Sequence, residues 1–264
     1  MSDHTGVTAE AFAHSLISRF DDVDATYVMR PFTDNADKLR DVIAEVNAAA
    51  AKGPRPIVCS TITNNKGRAQ LRDANAVVLS LFDEFISTIS EELGMEPTLS
   101  VGAYHGIRDL GKYQIRLDAV DFSLATDDGL GTKLYGEADL IVVGVSRAGK
   151  TPSCLYLSMH YGVKASNYPL TMDDLEQPQL PDVLRPHVAR IFGLTIDPVR
   201  LHQIRQKRRP DSTYASLSRC TEEVSRAERL FRQLNIPYTD TTTLSIEEIA
   251  ATVLESSDLR TKLQ

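Results

Sequence analysis

Read for apolar and polar positions, the chain alternates short aliphatic runs with stretches of helical spacing. The strongest run is Leu140-Ile141-Val142-Val143, with Val145 just beyond Gly144. No polar side chain interrupts it, as in a strand buried on both faces. Upstream, residues 25–32 and 56–62 read as strands, and residues 34–51 carry Leu39, Val42, Ile43 and Val46 at helical spacing. Residues 66–93, with Leu71, Val77, Val78, Leu81, Phe82, Phe85 and Ile89, predict one long helix. An opening helix over residues 8–20 places Ala11, Phe12, Leu16 and Ile17 on one side. The polar turn before it, Ser2-Asp3-His4-Thr5-Gly6, is of a kind that follows a strand, so either the domain lacks that strand or the chain starts late.

Residues 97–112 read as a crossing between two halves. A helix over 113–125 ends at Thr126-Asp127-Asp128-Gly129, and the Leu140 strand comes next. Beyond it lie a helix to Tyr161 and a short strand over 163–165 that Asn167-Tyr168-Pro169 ends. A Pro- and acid-rich linker covers 173–182, and a strand covers 190–196. Asp197-Pro198 is a helix start, with Asp as N-cap and Pro at the first helical position. That helix ends in the basic run Arg205-Gln206-Lys207-Arg208-Arg209. Residues 214–234 form another helix, 236–239 a short edge strand, and Ser245-Ile246-Glu247-Glu248 is a capping box opening the last helix. The alternation predicts an α/β protein. It has an N-terminal parallel α/β half over 1–96, a connecting segment over 97–137 and a P-loop-containing α/β half over 138–264.

The strand at Leu140 runs into Gly144-Val145-Ser146-Arg147-Ala148-Gly149-Lys150-Thr151, the Gly-x-x-x-x-Gly-Lys-Thr pattern of a phosphate-binding loop. The spacing has a physical reason. Glycines let the backbone wrap closely around phosphate oxygens, and the loop amides and the helix N-terminus aim partial positive charge at the anion. Lys150 can reach the terminal phosphate, and Thr151 can place its hydroxyl on a metal ion. Pro152 fits the first turn of the following helix. The bland alternative is a Gly-rich strand–helix turn with Lys150 simply exposed.

Composition narrows the class. The 264 residues carry a net charge of −7, which argues against a general nucleic-acid binder. No apolar run approaches the ~18–20 residues of a membrane span, and the N-terminus lacks a signal pattern. Cys59, Cys154 and Cys220 are odd in number and far apart, suiting a reducing cytoplasm and packing roles.

Several separated motifs together resemble one family. They include Ser2-Asp3-x-Thr5-Gly6-x-Thr8-Ala9-Glu10, Lys112-Tyr113 with Asp118-Ala119-Val120-Asp121-Phe122, Asp127-Asp128-Gly129 and Gly144 through Ser153. Leu155-Tyr156-Leu157, Ala165-x-Asn167-Tyr168-Pro169, Phe192 through Pro198, Ile204-Arg205-x-x-Arg208, Tyr214-Ala215-Ser216-Leu217 and Ser245 through Ala250 complete the set. The chain resembles the bacterial phosphoenolpyruvate synthase regulatory proteins, sisters of the pyruvate, phosphate dikinase regulatory proteins. The resemblance implies a bifunctional enzyme. One activity is an ADP-dependent serine/threonine kinase that inactivates the histidine-phosphorylated synthase. The other removes the threonine phosphate with inorganic phosphate, releasing pyrophosphate. It implies ADP and phosphate as co-substrates, the synthase as partner and a cytoplasmic setting. Mg2+ and a homodimer are left open.

That chemistry wants further groups. Asp127 and Asp128 could take a proton or hold metal, or could simply end a helix at Gly129; Asp3 is an equal candidate. His105 could act on a phosphate or recognise a phosphohistidine, and Arg147 could add a second cation to the loop. Arg205, Lys207, Arg208 and Arg209 either dock a phosphorylated partner or complement a helix C-terminus. Two rivals remain: the same reactions on pyruvate, phosphate dikinase, and a nucleotide-sensing module that catalyses nothing.

Overall fold

A computed structural model describes residues 1–97, 110–177, 179–257 and 259. The chain divides into two compact units, Met1–Arg108 and Asp109–Gln264.

In the first unit α1 (Val7–Ile17) and α2 (Ala36–Ala50) precede β1 (Ile57–Ser60). Then come α3 (Asn65–Arg72), β2 (Val77–Ser80) and α4 (Leu81–Leu93). β1 and β2 pair in parallel, Ile57 opposite Val77 and Ser60 opposite Ser80. Two expectations are corrected here. The single helix over 66–93 is a helix, a strand and a second helix. Asp73, Ala74 and Asn75 break the first helix, and the Val77-Val78-Leu79 run, which suits a pleated surface, pairs with β1. Ser80 then starts α4 by accepting from the Asp83 amide. Residues 25–32 form no strand; the end of that segment instead meets the N-terminus, where Ser2 N–H donates to Arg30 O and Thr33 N–H to Ser2 O. The other side of the N-terminus lies along β1: Thr61 N–H donates to Met1 O, and the Met1 amine donates to Cys59 O.

The second unit begins with α5 (Leu110–Ala125), which lies wholly inside the segment read as a connection. β3 (Leu140–Val145), α6 (Lys150–Tyr161), β4 (Ala165–Leu170) and the short α7 (Met172–Leu175) follow. The chain continues with β5 (Ile191–Thr195), α8 (Pro198–Arg208), α9 (Leu217–Gln233), β6 (Tyr238–Asp240) and α10 (Ile246–Ser256). The sheet is wholly parallel, in the order β4-β3-β5-β6. All six residues of β3 are buried, as its aliphatic run requires. α5 and α6 pack on the β4 side, and α9 packs on β3 and β5. β4 corrects a third expectation. It runs through Asn167-Tyr168-Pro169 instead of ending there, because it is the sheet edge, where proline's missing N–H costs no ladder bond.

From β3 the chain goes to β4 on one side, then returns to β5 on the other. That reversal opens a crevice beyond the carboxyl end of β3, where ligands bind in open α/β sheets. Gly144 lies at that end, and any Cβ there would overlap the Leu194 carbonyl of β5. Glycine therefore lets the two strands close up just where the loop departs.

Candidate functional site

The Gly144–Thr151 segment joins β3 to α6, as its pattern predicts. Two residues of the loop are left-handed, Arg147 at φ 77° and Gly149 at φ 91°. The first is unusual for a residue with a side chain, so the surroundings must hold it. Three carbonyls show how. Arg205 donates to Ser146 O from Nη2 at 3.1 Å and from Nε at 3.4 Å. Thr241 Oγ1 donates to Ala148 O at 3.2 Å, and Ser153 Oγ to Gly149 O at 2.9 Å. A trans peptide sets its N–H opposite its C=O. With those carbonyls turned to protein donors, the amides of Arg147, Gly149 and Lys150 face the other way. That is the polarity an anion requires.

Arg205 is fully buried, which removes it from the basic run as a docking residue. It pairs with Glu223 at 2.7 Å, donates to Tyr214 O at 3.1 Å and stacks on the Tyr214 ring at 4.2 Å. Tyr214 in turn shares a 2.9 Å hydrogen bond with the Ser146 hydroxyl. Arg219 also pairs with Glu223, so the buried carboxylate faces two guanidiniums. Lys207, Arg208 and Arg209 remain exposed at the end of α8.

Lys150 is not the exposed side chain of the bland alternative; only 4% of it is accessible. Its Nζ donates to Val145 O at 3.1 Å. Burial pulls its pKa down to about 8, while the Asp128 and Asp127 carboxylates act against that fall. The acidic pair therefore lies within electrostatic reach of the lysine. Thr151 Oγ1 donates to Asp127 Oδ1 at 2.7 Å, so the loop threonine and Asp127 meet across 24 residues of sequence. Asp127 and Asp128 form part of a 3-10 turn, Asp127–Gly129, in which Asp128 is left-handed at φ 49°. Asn167 of β4 donates to Asp127 Oδ1 at 2.6 Å and accepts from the Asp128 amide at 3.1 Å. Asp128 is exposed.

Of the residues singled out from sequence, Asp127, Asp128, Lys150 and Thr151 thus form one cluster. Arg147 is exposed on the same loop. Asp3 belongs to the first unit, where its carboxylate accepts from Thr63 N at 2.8 Å and Thr63 Oγ1 at 2.6 Å. His105 lies outside the described residues. All three cysteines are buried, and burial pushes the Cys154 thiol well up, so it stays protonated as packing. Glu248 completes the capping box with Ser245, as expected. Among the described residues, no cluster of three or more His, Cys, Asp or Glu side chains is placed to hold a metal. No helix among them is long and apolar enough to cross a membrane.

A parallel sheet whose central strand feeds an anion-oriented loop, with a lysine and two carboxylates at its mouth, is the framework of a phosphoryl-handling protein. The profile of the kinase/pyrophosphorylase family matches residues 1–254, and the chain belongs to that family. Its relatives carry a more particular name. A protein of Ectopseudomonas mendocina is 46% identical over 265 residues, covering 100% of this chain and 97% of its own. One of Bordetella parapertussis is 48% identical over 260 residues (98% and 94%), and one of Deinococcus radiodurans 47% over 254 (96% and 92%). Each is provisionally named a phosphoenolpyruvate synthase regulatory protein.

Proposed function

We propose that this chain is a bifunctional phosphotransferase that regulates phosphoenolpyruvate synthase in the cytoplasm. The observation that carries the reading is the meeting of Lys150, Thr151 and the Asp127–Asp128 turn at the mouth of an anion-oriented loop. In the forward reaction a threonine hydroxyl of the histidine-phosphorylated synthase attacks the β-phosphorus of ADP. The bond from that phosphorus to the bridging oxygen breaks and AMP leaves. Charge spreads over the moving phosphoryl group, and Lys150 with the loop amides neutralises it. The exposed Asp128 carboxylate accepts the hydroxyl proton. In the reverse reaction inorganic phosphate attacks the phosphothreonine, pyrophosphate leaves and threonine regains its proton. The same anion cradle serves both directions.

The donor set at Thr151 and Asp127 is hard oxygen, which fits Mg2+. When bound there, the ion would neutralise phosphate charge; Thr151 Oγ1 and the Asp127 carboxylate are the residues to hold it. Asp127 then anchors the threonine hydroxyl, which leaves Asp128 free for the proton.

Incubation with ADP and histidine-phosphorylated synthase tests the reading, with pyruvate, phosphate dikinase in parallel. Phosphothreonine on the synthase with stoichiometric AMP is the expected result. Transfer only to the dikinase would move the target to that enzyme. Tight ADP binding with no transfer to either would make the chain a nucleotide sensor.

A further inference from the structure

Asn167 is 1% exposed, and both ends of its amide are committed. Nδ2 donates to Asp127 Oδ1 at 2.6 Å, and Oδ1 accepts the Asp128 N–H at 3.1 Å. The two partners fix which end is which, since an ionised carboxylate can only accept and a backbone N–H can only donate. The Asn167 backbone carbonyl is held in turn by the Tyr135 hydroxyl at 3.0 Å. Packing alone does not call for an amide here. Its register partner on β3 is Val142, and the interior around it is largely apolar. The same Asp127 oxygen also receives the Thr151 hydroxyl. One buried side chain therefore sets the position of one carboxylate and the backbone of the next residue, which sits in a conformation that L residues rarely adopt.

We infer that Asn167 is a positioning residue for phosphoryl transfer: its amide holds Asp127 against Thr151 and fixes the left-handed turn that presents Asp128. The inference rests on the phosphotransferase reading of the site. Asn167 touches neither substrate nor reacting atoms; it acts through the two carboxylates. The titratable side chains that meet it are Asp127 and Cys154, with Tyr135 on its backbone carbonyl.

Asn167→Leu keeps the approximate shape and removes both hydrogen bonds. It should speed hydrogen exchange at the Asp128 amide by about tenfold or more, through local opening of the turn. It should lower kcat for threonine phosphorylation about 100-fold, the scale of a misplaced catalytic group, with KM for ADP almost unchanged. Asn167→Leu showing wild-type Asp128 exchange and wild-type kcat would overturn the inference. So would a rise in KM for ADP as large as the fall in kcat. Should the leucine variant not fold, Asn167→Ser and Asn167→Ala decide. The serine hydroxyl can still donate or accept, so it should retain more activity than alanine, and equal activity overturns the inference. The exchange measurement needs no turnover. If wild-type protein transfers nothing, the phosphotransferase reading fails, while the Asp128 amide still reports whether Asn167 sets the turn.

Discussion

Replacing Lys150 by methionine should stabilise the ligand-free protein while abolishing its activity. Lys150 as a whole is only 4% accessible, and its ammonium makes one hydrogen bond, to Val145 O. Its pKa falls from 10.5 to about 8, and at about 1.4 kcal/mol per pH unit this corresponds to a cost of about 3 kcal/mol for keeping the charge in the fold. The sign follows from linkage. Because the folded-state pKa is the lower one, the unfolded chain binds more protons between pH 8 and 10.5. Stability therefore rises with pH across that window, and the full cost applies below it. Methionine fills a similar volume without the charge. Removing the ammonium does not strand Val145 O, which also accepts the Ala148 N–H. Urea unfolding near pH 7 should show Lys150→Met more stable by up to about 3 kcal/mol. The gap should narrow above pH 8 and close by about pH 10.5. A variant less stable than wild type near neutrality, or a gap that ignores pH, would refute the reasoning.

Other perturbations read other parts of the site. Arg205→Met strands the buried Glu223 with Arg219 alone and releases the Ser146 carbonyl; it should cost about 3–5 kcal/mol in urea unfolding, partly restored by adding Glu223→Gln. Gly144→Ala drives a methyl into the Leu194 carbonyl between β3 and β5, and should cost about 1–3 kcal/mol by the same measurement. Thr151→Val removes the hydroxyl that meets Asp127; stability should change by less than about 1.5 kcal/mol, while threonine phosphorylation falls about 100-fold in a steady-state assay.

Much of the second unit was legible because local signals agreed. The Leu140 run, the glycine spacing after it and Pro152 all specify strand, loop and helix, and the structure follows. Asp197-Pro198 and Ser245–Glu248 start helices where their side chains predict. The misreadings came where a local pattern was ambiguous. Val77 and Val78 fit a helical stripe as well as a strand, and only the pairing with β1 decides. Pro169 looks like a terminator until the strand proves to be an edge. The site itself was half visible. Lys150 and Thr151 announce themselves by spacing, and Asp127 and Asp128 by chemistry. Their supports do not: Thr241 is 93 residues from the carbonyl it holds, and Asn167 is 40 from Asp127. Arg205 read as one more surface cation, since nothing in a basic run marks which arginine turns inward. Its buried partner, Glu223, lies on the next helix.

The central claim is that one loop transfers phosphate in both directions. The most direct measurement compares wild type with Lys150→Ala for ADP-dependent phosphorylation of the synthase threonine and for phosphate-dependent release of pyrophosphate from the phosphorylated form. Both rates should fall together, by about 100-fold or more, with the fold intact. A folded Lys150→Ala protein that keeps either direction at the wild-type rate would contradict the account.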